Sequence, residues 1–143
     1  MEKLSSVFFY HLEKAIKTYR QYAQARLKAE GFGITIDQWL VLKALGDSPD
    51  ATQNELAEAV FKDKASVTRI IDILVSEGYL DRAVNGENRR RHKLSITKKG
   101  RQLLKAIQPT ILKNRATALK DISEANVRVT EKVLKAIAAN CSK

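Results

Sequence analysis

Lys64, Ser66, Thr68 and Arg69 fall within six consecutive positions. Their chemistry is that of a nucleic-acid contact. Arg reads the O6 and N7 acceptors of guanine, Lys meets phosphate or base acceptors, and small hydroxyls donate or accept on either. Val67, Ile70, Ile71, Leu74 and Val75 recur between and beyond them at i, i+3, i+4, i+7 and i+8. That period buries one stripe of a helix and turns the polar set, with Asp72, to the opposite side. A helix that hides one face and presents Lys, Arg and hydroxyls on the other is suited to the DNA major groove. The alternative is that Ser66 and Thr68 are ordinary surface polar residues.

A second cationic group lies at Asn88-Arg89-Arg90-Arg91. It follows Asn85-Gly86, a strong turn signal, between the alternating segments 79–84 and 93–96. These features predict a two-stranded hairpin with arginines at its tip. Such a tip suits the minor groove, whose narrow walls concentrate negative potential. Arg90, at the centre of the run, is the candidate for the groove, with Arg89 and Arg91 on phosphates. The alternative is a solvated loop.

These groups need supporting elements. Thr52-Gln53-Asn54-Glu55 has the spacing of a capping box and opens a helix expected over 53–60. Its free N–H groups make Thr52, Gln53 and Asn54 candidate phosphate contacts. Lys62-Asp63-Lys64 forms the corner, with Asp63 placed to cap the next helix, which Gly78 ends.

A long helix is expected over 4–30, with Leu4, Phe8, Leu12, Ala15, Tyr19 and Ala23 on one stripe and Val7, Phe9, Ile16 and Tyr22 widening it. Thr35-Ile36-Asp37-Gln38 is a further capping box, predicting a helix from Asp37 to about Leu45 with Trp39, Leu40, Leu42 and Leu45 inside. Thr97 caps a helix running from Lys98 to about Leu119. Pro109 lies within it and is expected to kink it near Gln108. Ser123 starts the last helix.

The fold class is therefore mainly α with a small β-hairpin wing: a winged helix-turn-helix with flanking N- and C-terminal dimerisation helices. One domain is expected over 1–143, with the DNA-binding lobe at 35–100 and dimerisation helices at 1–30 and 101–143. The terminal helices carry more apolar face than the central lobe can cover. A two-fold dimer would cover it and place two recognition helices one DNA turn apart, roughly 34–36 Å.

Composition agrees. The formal net charge over 143 residues is +10, and residues 82–101 hold eight Lys or Arg against the single acid Glu87. Such an excess favours an anionic partner. The lone cysteine, Cys141, cannot form an internal disulfide, which suits a reducing cytoplasm. No targeting segment or membrane span is legible, and a cytoplasmic protein with no membrane partner is expected. An enzyme is not expected. His11 and His92 are the only histidines, no zinc-ligand set is present, and no glycine-rich phosphate loop occurs. No cofactor and no metal are expected.

Several segments, in order, resemble the MarR family of bacterial transcription regulators. They are Thr35-Ile36-Asp37-Gln38-Trp39-Leu40-Val41-Leu42, Gln53-Asn54-Glu55-Leu56-Ala57, Ser66-Val67-Thr68-Arg69-Ile70-Ile71-Asp72-Ile73-Leu74, Gly78-Tyr79-Leu80-Asp81-Arg82 and Leu94-Ser95-Ile96-Thr97-Lys98-Lys99-Gly100. The resemblance implies a homodimer on a palindromic operator, most often as a repressor, with Arg90 as the minor-groove arginine. The family's usual Asp before that arginine pair is Asn88 here, which accepts without charge. The resemblance also implies release of DNA by an anionic or phenolic small molecule held between the dimer helices and the lobe. Tyr10, His11, Tyr19 and Trp39 are the candidates for that cleft, the alternative being aromatic core residues. Peroxide-sensing relatives use a cysteine near the N-terminus, which is absent. Two rival functions are a non-specific architectural DNA binder and a winged-helix protein–protein adaptor.

Overall fold

The computed structural model describes residues 1–84 and 92–142, without the side chains of Val84 and His92. A 3-10 turn, Leu4–Ser6, precedes α1 (Phe8–Ala29). Then come α2 (Ile36–Asp47), α3 (Gln53–Ala59), α4 (Lys64–Ser76), β1 (Leu80–Val84), β2 (His92–Ile96), α5 (Lys98–Ala118) and α6 (Glu124–Cys141). The N-terminal helix does not run unbroken from residue 4 as its apolar spacing suggested. Val7 is extended (φ −85°, ψ 121°), and α1 begins after it without a side-chain cap.

Caps set the helix starts. Thr35 Oγ1 accepts from the Gln38 amide (3.1 Å) while Gln38 Oε1 accepts from the Thr35 amide (3.0 Å). Thr52 and Glu55 form the same reciprocal pair at α3. Ser123 caps α6 through the Asn126 amide (3.1 Å). The ends share another device. After α4, Gly78 (φ 82°) turns left-handed, so that its N–H reaches Val75 O (3.0 Å) and that of Tyr79 reaches Leu74 O (2.9 Å). After α1, Gly31 (φ 85°) does the same. After α3 the left-handed position is held by Phe61 (φ 60°), with Lys62 N–H on Ala57 O (3.0 Å). Glycine takes this conformation at little cost, whereas a residue with a Cβ is strained there.

The core sits in the central lobe. Val41, Leu42 and Leu45 of α2, Leu56 and Ala57 of α3, and Val67, Ile71 and Leu74 of α4 are buried together with Leu80 and Leu94 of the hairpin. Leu27 of α1 and Ile107 and Ile111 of α5 close the cluster. The strands pair antiparallel, with Leu80 opposite Ile96 and Arg82 opposite Leu94. The alternation turns Leu80, Leu94 and the half-buried Ile96 inward.

The start of α5 is seated on the hairpin base. Thr97 donates its N–H to Tyr79 O (3.1 Å) and its hydroxyl to Gly78 O (2.6 Å), and accepts from the Gly100 amide (3.0 Å). Gly100 is buried against this joint, where a Cβ would stand 2.3 Å from Tyr79 O, so only glycine fits without a shift. Further along, α5 continues through Pro109, which has no N–H to offer the carbonyl of Lys105. Thr110 donates to Glu30 at the end of α1 (2.5 Å). That hydroxyl is the main reason the Glu30 carboxyl lies below the usual carboxylate range.

The terminal helices differ from the lobe. In α1 only Ala23 and Leu27 are buried, while Phe8, Phe9, Ile16 and Tyr22 are exposed. No residue of α6 is buried, and α6 builds no substantial packing on any other element among the described residues. Val129, Val133 and Leu134 lie open on it. No helix of the described residues is long and apolar enough to cross a membrane.

Candidate nucleic-acid interface

The buried stripe of α4 is Val67, Ile71 and Leu74, with Ile70 and Val75 half-buried beside it. This fixes which side of the helix remains outside. Asp63 caps its start, as its position predicted. Oδ1 accepts from the Ser66 amide and Oδ2 from the Ser66 hydroxyl, both at 2.8 Å. The Ser66 amide is the largest cause, and the hydroxyl the next, of the Asp63 carboxyl lying below the usual carboxylate range. The helix start is therefore ordered before any partner arrives.

The four residues predicted to touch DNA divide into two kinds. Ser66 is already used by the cap and also accepts from an Arg69 N–H (3.3 Å). Thr68 is half-buried, and its hydroxyl lies within reach of Lys64 O (2.9 Å) and of Gln53 Oε1 (3.3 Å) on α3. One proton serves one acceptor at a time. Lys64 and Arg69 are exposed, and neither has an ion-pair partner among the described residues. They are the cations of this helix available to an anionic partner. One exposed apolar residue on α4, Ile73, was not singled out by the sequence, because it lies outside the buried stripe.

At the start of α3, Thr52 is occupied by its capping box and Gln53 by Thr68, which leaves Asn54 exposed. Asn88, Arg89, Arg90 and Arg91 lie outside the described residues.

The base of the hairpin shows what the basic run around it does. Arg82 reaches back from β1 to Asp72 of α4 (2.6 Å). Lys99 donates to Glu77 O (2.7 Å) with its ammonium 4.9 Å from the centre of the Tyr79 ring. Arg101 donates to Ile96 O (2.8 Å). These cations tie hairpin, α4 and α5 together. Charge counting did not distinguish them from cations free to bind. The one usable signal for Arg82 was its even spacing from Leu80, which places both on the inner face of β1.

The four aromatic candidates do not form one cleft. His11 and Tyr19 line a space of about 520 Å³ between α1 and the end of α5, with Lys14, Thr18, Tyr22 and Thr117. Tyr10 is on the surface, its ring edge-on to that of His11 at 5.8 Å. Trp39 is in the core at 7% exposure, because α2 turns it inward with Leu42. Another cleft, of about 630 Å³, opens between α2 and α5, where Lys43, Asp47, Lys105 and Gln108 surround Leu104 and Leu112. Among the described residues no three His, Cys, Asp or Glu side chains are grouped to hold a metal ion.

Residues 32–91, from just after α1 to the residue before β2, match the model of the MarR family. The match is to this lobe and leaves the terminal helices outside it. A transcriptional regulatory protein for the hcr operon of Thauera aromatica is 28% identical over 105 residues, covering 73% of this chain and 62% of that protein. The chain thus spans under two thirds of that relative's length. Among solved structures, Bordetella bronchiseptica BpsR, whose DNA binding is regulated by 6-hydroxynicotinic acid, superposes with a TM-score of 0.87 at 20% identity, covering 96% of this chain and 97% of its own. The PcaV transcriptional regulator of Streptomyces coelicolor, solved with its natural ligand, gives 0.83 at 17% identity and covers 99% of each chain. S. aureus MepR, solved in complex with DNA, gives 0.82 at 21% identity, covering 95% and 97%. At these identities the likeness is one of fold, and it extends beyond the lobe to the terminal helices.

Proposed function

We propose that this chain is a homodimeric, sequence-specific DNA-binding transcriptional regulator that represses from a palindromic operator in the cytoplasm. The observation that carries the reading is α4. Its apolar stripe is buried, its first turn is fixed by Asp63, and Lys64 and Arg69 are exposed on the outer side, without an ion-pair partner among the described residues. Arg69 reads bases and Lys64 meets phosphate or a base edge. Arg90 is our candidate for the minor groove, with Arg89 and Arg91 on phosphates and Asn88 orienting the pair. The fold shared with DNA-bound MepR supports the same use of the lobe.

Dimerisation rests on the chain ends, residues 1–30 and 101–143. Most helical stability in proteins comes from packing of an apolar face, and among the described residues nothing covers that of α6. A second copy supplies the missing surface with two-fold symmetry, which a palindrome mirrors. Control by a small anionic or phenolic ligand is supported by the shared fold of BpsR, whose DNA binding is regulated by 6-hydroxynicotinic acid, and of PcaV, solved with its natural ligand. That His11 and Tyr19 line one space between α1 and the end of α5 supports their part in such a site.

Selection of bound sequences from random duplex DNA tests the reading. A palindrome with half-sites about one helical turn apart is the expected outcome. Transcription from a promoter overlapping that site should fall when protein is added. Absence of duplex binding in dilute buffer, or a single-chain species by sedimentation at working concentration, would overturn it.

A further inference from the structure

Three elements meet at one carboxylate. Asp37, in the first turn of α2, receives the Arg20 guanidinium of α1 on Oδ1 and the Lys62 ammonium on Oδ2 (3.2 Å). Lys62 belongs to the corner between α3 and α4 and directly follows the left-handed Phe61. One turn along α1 from Arg20, Gln24 Oε1 accepts the Ile36 amide (2.8 Å). Arg20 and Gln24, at i and i+4, thus grip the start of α2 from one face of α1. Through Asp37 the grip is passed to the corner that aims the recognition helix. Helix α1 packs on α2 and α5 and makes no comparable packing on α3 or α4. The Arg20–Asp37–Lys62 chain is therefore the polar route from the first helix to that corner among the described ion pairs.

We propose that Asp37 is a positioning residue for operator binding. It ties α1, a dimerisation helix, to the corner of the helix-turn-helix and so holds the separation of the two recognition helices in the dimer. The proposal rests on the dimeric, DNA-binding reading above. The three side chains are each between 31% and 40% exposed, so the pairs contribute little as isolated surface ion pairs. Their effect is geometric. They add a polar tie from α1 to the α3–α4 corner, which α1 does not itself pack against, beside the apolar packing of α1 on α2 and α5. An anion at the N-terminus of α2 is also favoured by the helix dipole, so Asp37 is held in place from its own side.

The test uses the full-length protein and the operator selected as above, together with duplexes whose half-sites are moved one base pair closer or farther. Wild-type protein should prefer the selected spacing. Asp37→Asn should bind that operator about 3–10-fold more weakly, the range in which side chains of a coupling network shift linked sites. Its preference for the selected spacing over the altered ones should shrink by a similar factor, without loss of affinity for random duplex. Arg20→Gln, which lies on α1, should narrow the preference in the same way. If Asp37→Asn or Arg20→Gln discriminates spacing as sharply as wild type, the positioning role is refuted while the DNA-binding reading stands. If wild-type protein fails to bind duplex, both fall together.

Discussion

Gly100→Ala separates local propensity from tertiary packing at the joint between the hairpin and α5. In an exposed helix interior, alanine in place of glycine stabilises by about 1 kcal/mol. At Gly100 the added Cβ meets Tyr79 O at 2.3 Å, Ile96 Cγ2 at 2.8 Å and Tyr79 C at 3.2 Å. Two of these three atoms are backbone, so no side-chain rotation relieves them. Restoring ordinary contact requires the start of α5 to move away from the Tyr79 peptide by about 1 Å, since C···O pairs settle near 3.3 Å or more. That movement stretches the Thr97 N–H bond to the same oxygen, now 3.1 Å. Overpacking of this kind costs about 1–3 kcal/mol, and the rigid backbone on one side places Gly100→Ala toward the upper end before the propensity gain is subtracted. The expected net loss is about 1–2 kcal/mol, measured as a lower urea midpoint at unchanged slope. The base of the wing would shift relative to α4, so operator affinity should fall more than affinity for random duplex. A variant as stable as wild type, or more stable, would refute the reasoning.

Three further outcomes are expected. Arg69→Ala should weaken operator binding by about 1–3 kcal/mol and reduce the ratio of operator to random-duplex affinity in a competition titration; an unchanged ratio would remove Arg69 from base reading. Phe61→Gly should leave the thermal midpoint unchanged or raise it, because relief of about 1–2 kcal/mol of left-handed strain exceeds the entropy of about 0.5–1 kcal/mol that glycine adds to the unfolded chain. At 94% exposure the phenyl ring has little packing to lose, and a clear drop in stability would point to an unseen contact of that ring. The Asp63 carboxyl titrates lower in the folded chain than in the unfolded one, so its cap contributes fully at neutral pH and is lost as pH falls through the folded value. Asp63→Asn should therefore flatten the fall of thermal midpoint with acidification, and an identical acid profile would show that the cap carries none of it.

The helices were legible because their signals are local. Thr35, Thr52, Thr97 and Ser123 each cap the helix that their spacing announced, and the predicted stripe of α4 is buried at Val67, Ile71 and Leu74 and half-buried at Ile70 and Val75. The corner was read from Asp63, but the left-handed Phe61 was not, since nothing in an apolar aromatic marks a glycine-like conformation. The apolar run at 4–9 gave no sign of the break at Val7, because period alone does not register a missing cap. Site residues were harder. Ser66 and Thr68 look like free hydroxyls in the sequence, and only the fold brings Asp63 and Gln53 to them. Trp39 looks like a cleft aromatic until the packing of α2 turns it inward. Arg20, Asp37 and Lys62 are far apart in the chain, and their meeting is a tertiary fact.

The internal use of basic side chains bears on how strongly ionic strength governs binding. Arg82, Lys99 and Arg101 each commit a donor to another part of the fold, and Arg20 and Lys62 share a carboxylate. Counterions are displaced from a polyanion only by cations that reach it, so the logarithmic dependence on salt counts delivered charges rather than carried ones. A titration against sodium chloride should therefore report far fewer phosphate contacts per protomer than a formal charge of +10 suggests.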